Sequence, residues 1–302
     1  MSDILRILVY FDLFDHPLTD RELRWFTPGY PTDETWADAL TRLLRRQAIF
    51  RIDGFYTLRN ESRLCGKRVT KNRQAELLLN TAAGISGFLY RFPFVRGILI
   101  SGSLSKHVAD EDGDIDYFII TASGRLWIAR SLLHIFKKIT FLYGRQHWYC
   151  MNYFIDERAL EIQEKNFYTA MELVTLLPFQ GDGVLEGLRK ANEWAWAYFP
   201  GAQWPCRKPL CPVTRLPVKG IMERLLEFLW PDLLDDCLMR ITARRWARKQ
   251  DRGDRNIRGQ RMGVKTGKHF CKPNPIFFQE SLLIKYEAEL TALLSRFGLD
   301  GC

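Results

Sequence analysis

The segment that most constrains the fold is residues 97–121, GILISGSLSKHVADEDGDIDYFIIT. Apolar and β-branched residues begin and end it, and such runs are typical of buried strands. Residues two apart in a strand point to the same face. If Asp114 and Asp116 open the second strand, their carboxylates therefore lie side by side, with Ile115 buried behind them. The segment predicts two buried strands joined by a polar connection, with paired carboxylates at the start of the second strand.

Paired carboxylates repel each other unless a divalent cation lies between them, and their hard oxygens suit Mg²⁺ or Mn²⁺. Gly102 has no side chain, so its backbone can approach a phosphate closely. The Ser103 hydroxyl and the Lys106 ammonium would add a phosphate-binding donor and a positive charge. The sequence therefore predicts metal ligands at Asp114 and Asp116, and nucleotide binding at Gly102, Ser103 and Lys106.

A solvated acidic loop is the alternative interpretation of this cluster. Asp116, however, is followed by Tyr-Phe-Ile-Ile, the pattern of a buried strand, which a solvated loop does not need. The acidic residues in question are Asp110, Glu111, Asp112, Asp114 and Asp116.

The flanking residues predict an α/β (α+β) fold with a small mixed sheet. A helix is expected from Gly124 to about Lys138, and a third strand from Trp148 to Ile155. Strand, loop, strand, helix and strand then follow one another along the chain.

This pattern resembles the DNA-polymerase-β-like nucleotidyltransferase superfamily over residues ~95–160. The shared features are an apolar strand, Gly-Ser, a gap of about ten residues and Asp-x-Asp in a strand. The resemblance implies an enzyme that moves a nucleoside monophosphate from a nucleoside triphosphate to a hydroxyl or phosphate acceptor and releases pyrophosphate. It also implies Mg²⁺ or Mn²⁺ as the cofactor, and an acceptor that is a small molecule or a nucleic acid.

The chain departs from the family at the third carboxylate, whose position falls on Asn152. An amide oxygen can coordinate a cation but cannot accept a proton. Asp156 shares the face of Asn152 but lies ~13 Å along the strand, so it could serve only in another register. Three hypotheses stay open: catalysis with two carboxylates, a base such as Glu157 or Glu172, or a nucleotide- or nucleic-acid-binding regulator with weak or no turnover.

Three segments are predicted along the chain: a winged-helix-like domain over 1–60, a catalytic domain over 61–160, and a mostly helical domain over 161–302 that completes the cleft. The first rests on three helical patterns before an Asp53-Gly54 hairpin signal. Acidic residues early in the third helix argue against DNA reading, so we expect a packing or protein-contact module. In the last segment, helices are predicted over 168–177, 184–198, 219–230, 232–250 and 279–297.

The formal charge of +9 favours polyanionic partners such as nucleic acid, nucleotides or anionic lipid, without choosing among them. Residues 251–275 predict a basic, flexible loop in which Lys265 and Lys268 bind the nucleotide. A solvated loop without that role is the alternative. A proline-rich loop is expected around 200–218.

Three features of the sequence bear on where in the cell the protein lies. Its start does not resemble a signal peptide, and no apolar run is long enough to span a bilayer. The seven cysteines are scattered, which suits reduced thiols. These features predict a cytoplasmic protein with no membrane partner.

Overall fold

Helices and strands alternate along the computed structural model, so the chain is mixed α/β. The structure describes residues 1–27, 32–111, 113–140, 144, 146–202, 217–255, 261–275 and 277–299. The chain divides into two units: Met1–Arg73, Trp194–Gln203 and Phe277–Cys302 form the first, and Gln74–Glu193 and Trp204–Ile276 form the second. The predicted boundaries at residues 60 and 160 fall inside these units.

The first unit joins helices to a small antiparallel sheet of order β1-β3-β2. The helix α4 begins in this unit and ends in the second. Its elements are α1 (Ser2–Asp12), β1 (Leu18–Thr19), α2 (Asp20–Phe26), α3 (Asp33–Arg45), β2 (Phe50–Ile52), β3 (Phe55–Thr57), the start of α4 (Ser62–Leu89), a one-turn helix α8 (Trp194–Tyr198) and α11 (Phe278–Phe297).

Local sequence signals account for much of this unit. The Thr19 hydroxyl oxygen accepts a hydrogen bond from Glu22 N, and the Glu22 carboxylate accepts one from Thr19 N. The helix α2 therefore begins with a complete capping box. The predicted hairpin is confirmed: β2 and β3 pair around Asp53 and Gly54, both with positive φ. The two-residue β1 strand was not predicted from the sequence.

The second unit is built on a six-stranded sheet of order β7-β4-β5-β6-β9-β8. The pair β5–β6 is parallel and the other pairs are antiparallel. Besides the rest of α4, its elements are β4 (Val95–Ile100), β5 (Asp116–Thr121), α5 (Leu126–Thr140), β6 (Cys150–Asp156), α6 (Phe167–Val174), β7 (Leu177–Gln180), α7 (Asp182–Ala191), α9 (Pro217–Phe228), α10 (Pro231–Asp251), β8 (Met262–Thr266) and β9 (Phe270–Pro275).

Both edges of this sheet come from the segment predicted to be mostly helical. The prediction of a loop over 251–275 is wrong for its second half, since residues 262–275 form the β8–β9 hairpin, which pairs with β6. The helix predicted over 168–177 ends at Val174, and Leu177–Gln180 pairs with β4 instead. Lysines and prolines hid the strand pattern in the first case, and the short length of β7 hid it in the second. Residues 203–216 of the predicted proline-rich loop, and 256–260, lie outside the described residues.

The central strands are buried because α4 and α5 pack their apolar residues on the sheet. A carboxylate from another helix caps α5: Asp235 Oδ1, on α10, accepts hydrogen bonds from Trp127 N at 2.8 Å and Ile128 N at 2.9 Å. These amides lie in the first turn of α5, where no intrahelical acceptor exists. Asp235 therefore stabilises the start of α5 and joins it to α10.

No helix in the described part of the chain is long and apolar enough to cross a bilayer.

Candidate functional site

The first feature of the site is the contact between the end of β4 and the start of β5. Ser101 N donates to Asp116 O at 2.9 Å, which brings the next residue, Gly102, against the Asp116 side chain. Gly102 has φ +69°, and a Cβ on it would lie 2.6 Å from Asp116 Oδ2. Glycine is therefore required here by both backbone conformation and space.

The turn after Gly102 holds a lysine at the same place. Residues Leu104–Lys106 form a single 3-10 turn that ends at His107 in the left-handed region. Ser105 Oγ donates to Gly102 O at 2.8 Å, and Lys106 Nζ donates to the same carbonyl at 3.2 Å. The turn therefore fixes the ammonium beside Gly102 and leaves Ser103 exposed at the site.

Lys106 also forms an ion pair with Glu172 on α6, with Nζ and Oε1 2.7 Å apart. The negative charge of Glu172 acts on Asp116, so this carboxylate belongs to the same electrostatic cluster. The sequence offered Glu172 only as one alternative base, because nothing local connects α6 with β5.

Asp116 is half-buried, and its pKa is raised to about 7. Burial is the main cause, followed by the negative charge of Asp114. Glu172 raises the pKa further, while a hydrogen bond from Cys150 and the charge of Lys137 lower it. A cation beside Asp116 would stabilise its ionised form, so the site favours positive charge.

Asp114 precedes β5 and is exposed, while Ile115 is fully buried as the sequence predicted. Asp114 Oδ1 lies 2.9 Å from His147 Nδ1, and Ile115 N donates to His147 O at 3.1 Å. His147, just before β6, therefore orients the exposed carboxylate. No local sequence pattern indicates a role for this histidine, because its contact with Asp114 joins residues 33 positions apart.

Asn152 lies beside Asp116, as the predicted strand alignment requires. Its Nδ2 donates to Asp116 Oδ1 at 2.9 Å. Cys150, the register partner of Asp116 in β6, also donates to this carboxylate, and burial raises the pKa of the Cys150 thiol to about 12. Asp116 therefore has two neutral donors where the family's pattern would place another carboxylate.

The donor set for a divalent cation is small. In the part of the chain that the structure describes, no group of three or more His, Cys, Asp or Glu side chains is arranged to hold a metal ion. Asp114 and Asp116 provide two carboxylates, and the negative charge of Asp114, after burial, raises the pKa of Asp116. Mg²⁺ commonly takes one or two carboxylates and completes its shell with water and substrate phosphates, which this pair fits.

Asp156, the other candidate carboxylate, is not at the site. It ends β6, while Asp116 is paired with Cys150 at the beginning of that strand, ~20 Å away along the chain direction. Asp156 is fully buried and accepts from Gly124 N at 2.6 Å and Arg158 N at 2.8 Å. The alternative register that would have brought it to the carboxylates is therefore wrong, and Asp156 organises the loop after β5.

Two predicted nucleotide ligands, Lys265 and Lys268, also lie away from the carboxylates. Lys265 is on β8, three strands from β5 or ~14 Å across the sheet, and it forms an ion pair with Glu164. Lys268 lies in the β8–β9 turn, 3.1 Å from Asp236. Their prediction assumed a loop free to reach the phosphates, whereas the hairpin fixes both residues on the sheet edge.

No protein-family model, no curated protein and no solved structure matches the chain. Any function is therefore inferred from the chain's own residues and geometry.

Proposed function

We propose that the protein is a metal-dependent nucleotidyltransferase with a core like that of the DNA-polymerase-β superfamily. The contact of Gly102 with Asp116 is the observation that carries the proposal. Gly102 lies against Asp116, the next residue Ser103 is exposed, and Lys106 Nζ donates to Gly102 O. This combination suits a triphosphate that must meet both hydrogen-bond donors and a divalent cation.

In this proposal Gly102, Ser103 and Lys106 bind the triphosphate, while Asp114 and Asp116 hold Mg²⁺ or Mn²⁺. The cation would neutralise charge on the phosphates. An acceptor oxygen attacks the α-phosphorus, the bond from that phosphorus to the bridging oxygen breaks, and pyrophosphate leaves. The acceptor's proton goes to Glu172, because Asp116 would hold the cation and the Asn152 amide cannot take a proton. Glu157 is excluded from this role by its place near Ser123, at the far end of β6.

We propose a winged-helix-like arrangement for the start of the first unit. Its order of helix, strand, two helices and two strands, with β1 added to the β2–β3 hairpin, supports this proposal. Arg42 on α3 pairs with Asp38, so part of the basic charge on this helix is already balanced. A packing or protein-contact role therefore suits this part better than reading of DNA.

A regulator that binds nucleotide without turnover is the second candidate. The hydrogen bond from Asn152 to Asp116 favours it, because an amide stands where the family's pattern has a third carboxylate. A third possibility keeps catalysis but makes the acceptor a nucleic acid. Salt-sensitive retention of DNA or RNA would support that version.

The test is incubation of the purified protein with each α-³²P-labelled nucleoside triphosphate, with Mg²⁺ or Mn²⁺. Acceptors are the protein itself, added nucleic acid and small molecules from a cell extract, and the Asp114→Asn/Asp116→Asn variant is the blank. We expect label transfer and pyrophosphate release that are absent from the variant. Metal-dependent nucleotide binding without any transfer would contradict the enzyme and support the regulator.

Gly102→Ala is expected to reduce label transfer about a hundredfold, because displacement of a site group by about 1 Å can have that effect. The new Cβ would lie 2.6 Å from Asp116 Oδ2 and would displace that carboxylate or the turn. Gly54→Ala is the matched control, since Gly54 also has positive φ but has no atom within 4 Å of the added Cβ. Each variant should lose about 1 kcal/mol of unfolding free energy from a side chain at positive φ, and Gly102→Ala should lose more because of the close contact with Asp116. Equal activity in the two would contradict the prediction.

A further inference from the structure

The helix α9 has its apolar side exposed. Val218, Ile221, Leu225 and Leu229 are exposed at helical spacing. The next residues continue the surface: Phe228 is 87% exposed, Trp230 is 76% exposed, and Leu233 at the start of α10 is exposed too. These seven residues form the apolar ridge.

The inward side of α9, by contrast, packs one leucine, Leu226, on the small cluster around Phe94 and Ile128, and its other inward contacts are polar. Lys219 Nζ donates to Tyr90 O at 2.8 Å and to Val95 O at 2.6 Å. Glu223 accepts from Phe94 N at 2.7 Å and forms a two-bond pair with Arg96. A surface helix of a globular protein normally buries its apolar side and exposes its charges. Most apolar side chains of α9 are instead exposed, and two of its charged side chains point inward. The apolar ridge therefore contacts something other than the core of this unit.

A basic surface follows the apolar ridge along α10. Arg240, Arg244 and Arg248 are spaced by four residues, so they share one side of the helix with Leu233. All three are exposed, and among the described residues none forms an ion pair. These three residues form the basic stripe, which continues the same exposed side of the helix.

We propose that the apolar ridge and the basic stripe bind the surface of an anionic lipid bilayer. Phe228 and Trp230 with the neighbouring leucines would enter the headgroup and acyl-chain boundary, as the apolar side of an interfacial helix does. The basic stripe would lie against the negative headgroups. In this proposal the protein lies on the membrane, with α9 and the start of α10 at its surface. This proposal differs from the expectation of no membrane partner, which rested on the absence of a signal peptide and of a long apolar run in the sequence.

Other partners explain less of this surface. Nucleic acid would be attracted by the basic stripe but has no need of a ridge of exposed leucines. A second copy could cover the apolar ridge, but a symmetric contact would bring the two basic stripes toward each other, and each chain carries a charge of +9. An anionic bilayer satisfies both parts of the surface.

The test measures binding of the full-length protein to vesicles by flotation. One set of vesicles is phosphatidylcholine, and the other is phosphatidylcholine mixed with phosphatidylglycerol. Variants are Phe228→Ser/Trp230→Ser on the apolar ridge and Arg240→Gln/Arg244→Gln/Arg248→Gln on the basic stripe. The control is Val69→Ser/Leu77→Ser on α4, where the two side chains are 57% and 60% exposed.

We expect binding to the anionic vesicles only. The triple arginine variant should bind about a hundredfold more weakly, at about fivefold for each arginine. The ridge variant should also lose binding, and the control variant should retain it. All of these changes are at exposed positions, and thermal unfolding verifies that each variant folds.

Several results would overturn the proposal. One is no vesicle binding by the unaltered protein, and another is equal binding to the two kinds of vesicle. A change of oligomeric state in the ridge variant, without vesicle binding, would show that a second copy covers the ridge. Loss of nucleic-acid retention in the arginine variant, again without vesicle binding, would assign the stripe to nucleic acid.

Discussion

Asp116→Asn is expected to lower label transfer by about a thousandfold, because a correctly held cation contributes several kcal/mol to such a reaction. Asp116 contacts more residues of the site than Asp114 does. Gly102 lies against it, and Asn152 and Cys150 donate hydrogen bonds to it. Asparagine keeps the shape but removes the negative charge. The measurement is the initial rate of pyrophosphate release with the nucleotide that the unaltered protein uses.

A control variant and a folding check make this prediction specific. Glu157→Gln removes a carboxylate at the far end of β6, so it should leave transfer unchanged. Asp116→Asn should fold, because burial already disfavours the charge that it removes. Transfer retained by folded Asp116→Asn would disprove the role of this carboxylate in holding the metal.

Asp235→Ala is expected to lower the free energy of unfolding by about 3 kcal/mol. The reason is that Trp127 N and Ile128 N are capped by Asp235 alone among the described residues, and an unsatisfied buried amide costs about 1–3 kcal/mol. Asp235 is only 2% exposed, so water cannot replace the lost acceptor without rearrangement. Chemical denaturation followed by circular dichroism measures the difference, and a loss like that of a change at the exposed Asp251, Asp251→Ala, would contradict it.

The pH dependence of stability gives Asp235 a second test. Burial raises its pKa from 3.8 to about 6, although the two backbone amides oppose the shift. Because the folded pKa is the higher one, this contribution to stability is complete below about 3.8 and is lost as pH rises through about 6. The loss is on the order of 3 kcal/mol. Asp235→Asn should remove that part of the decline between these pH values, and an unchanged slope would show that another group causes it.

Local sequence patterns determined several features that the structure contains. The alternation of polar and apolar residues at the start of β5 predicted that Ile115 is buried, which is confirmed. Asp114 lies just before the strand, and its negative charge acts on Asp116. The Asp53-Gly54 pair determined a tight hairpin, since both residues tolerate positive φ. In each case the chemistry that decides the geometry lies within a few residues of chain.

The surroundings of Asp116 were decided by tertiary structure. Cys150 and Asn152 reach it through the parallel pairing of β5 with β6, and Glu172 through the packing of α6. The same strand register keeps Asp156 away from Asp116, because Asp156 lies at the opposite end of β6. A sequence pattern gives the spacing along a strand but not its alignment with a distant one.

The sheet edges, the cap of α5 and the exposed side of α9 also depend on contacts between residues far apart in the chain. The β8–β9 hairpin was hidden by its lysines and prolines until its pairing with β6 fixed it as an edge. Asp235 caps α5 only because α10 packs beside it. Glu223 and Lys219 of α9 point inward because they bind Arg96 and two backbone carbonyls there. The sequence by itself determined the central strands β4, β5 and β6 and the Asp53-Gly54 turn, because short-range periodicity and backbone preference encode them. Only the tertiary structure decided which distant groups meet, because that depends on how the elements pack.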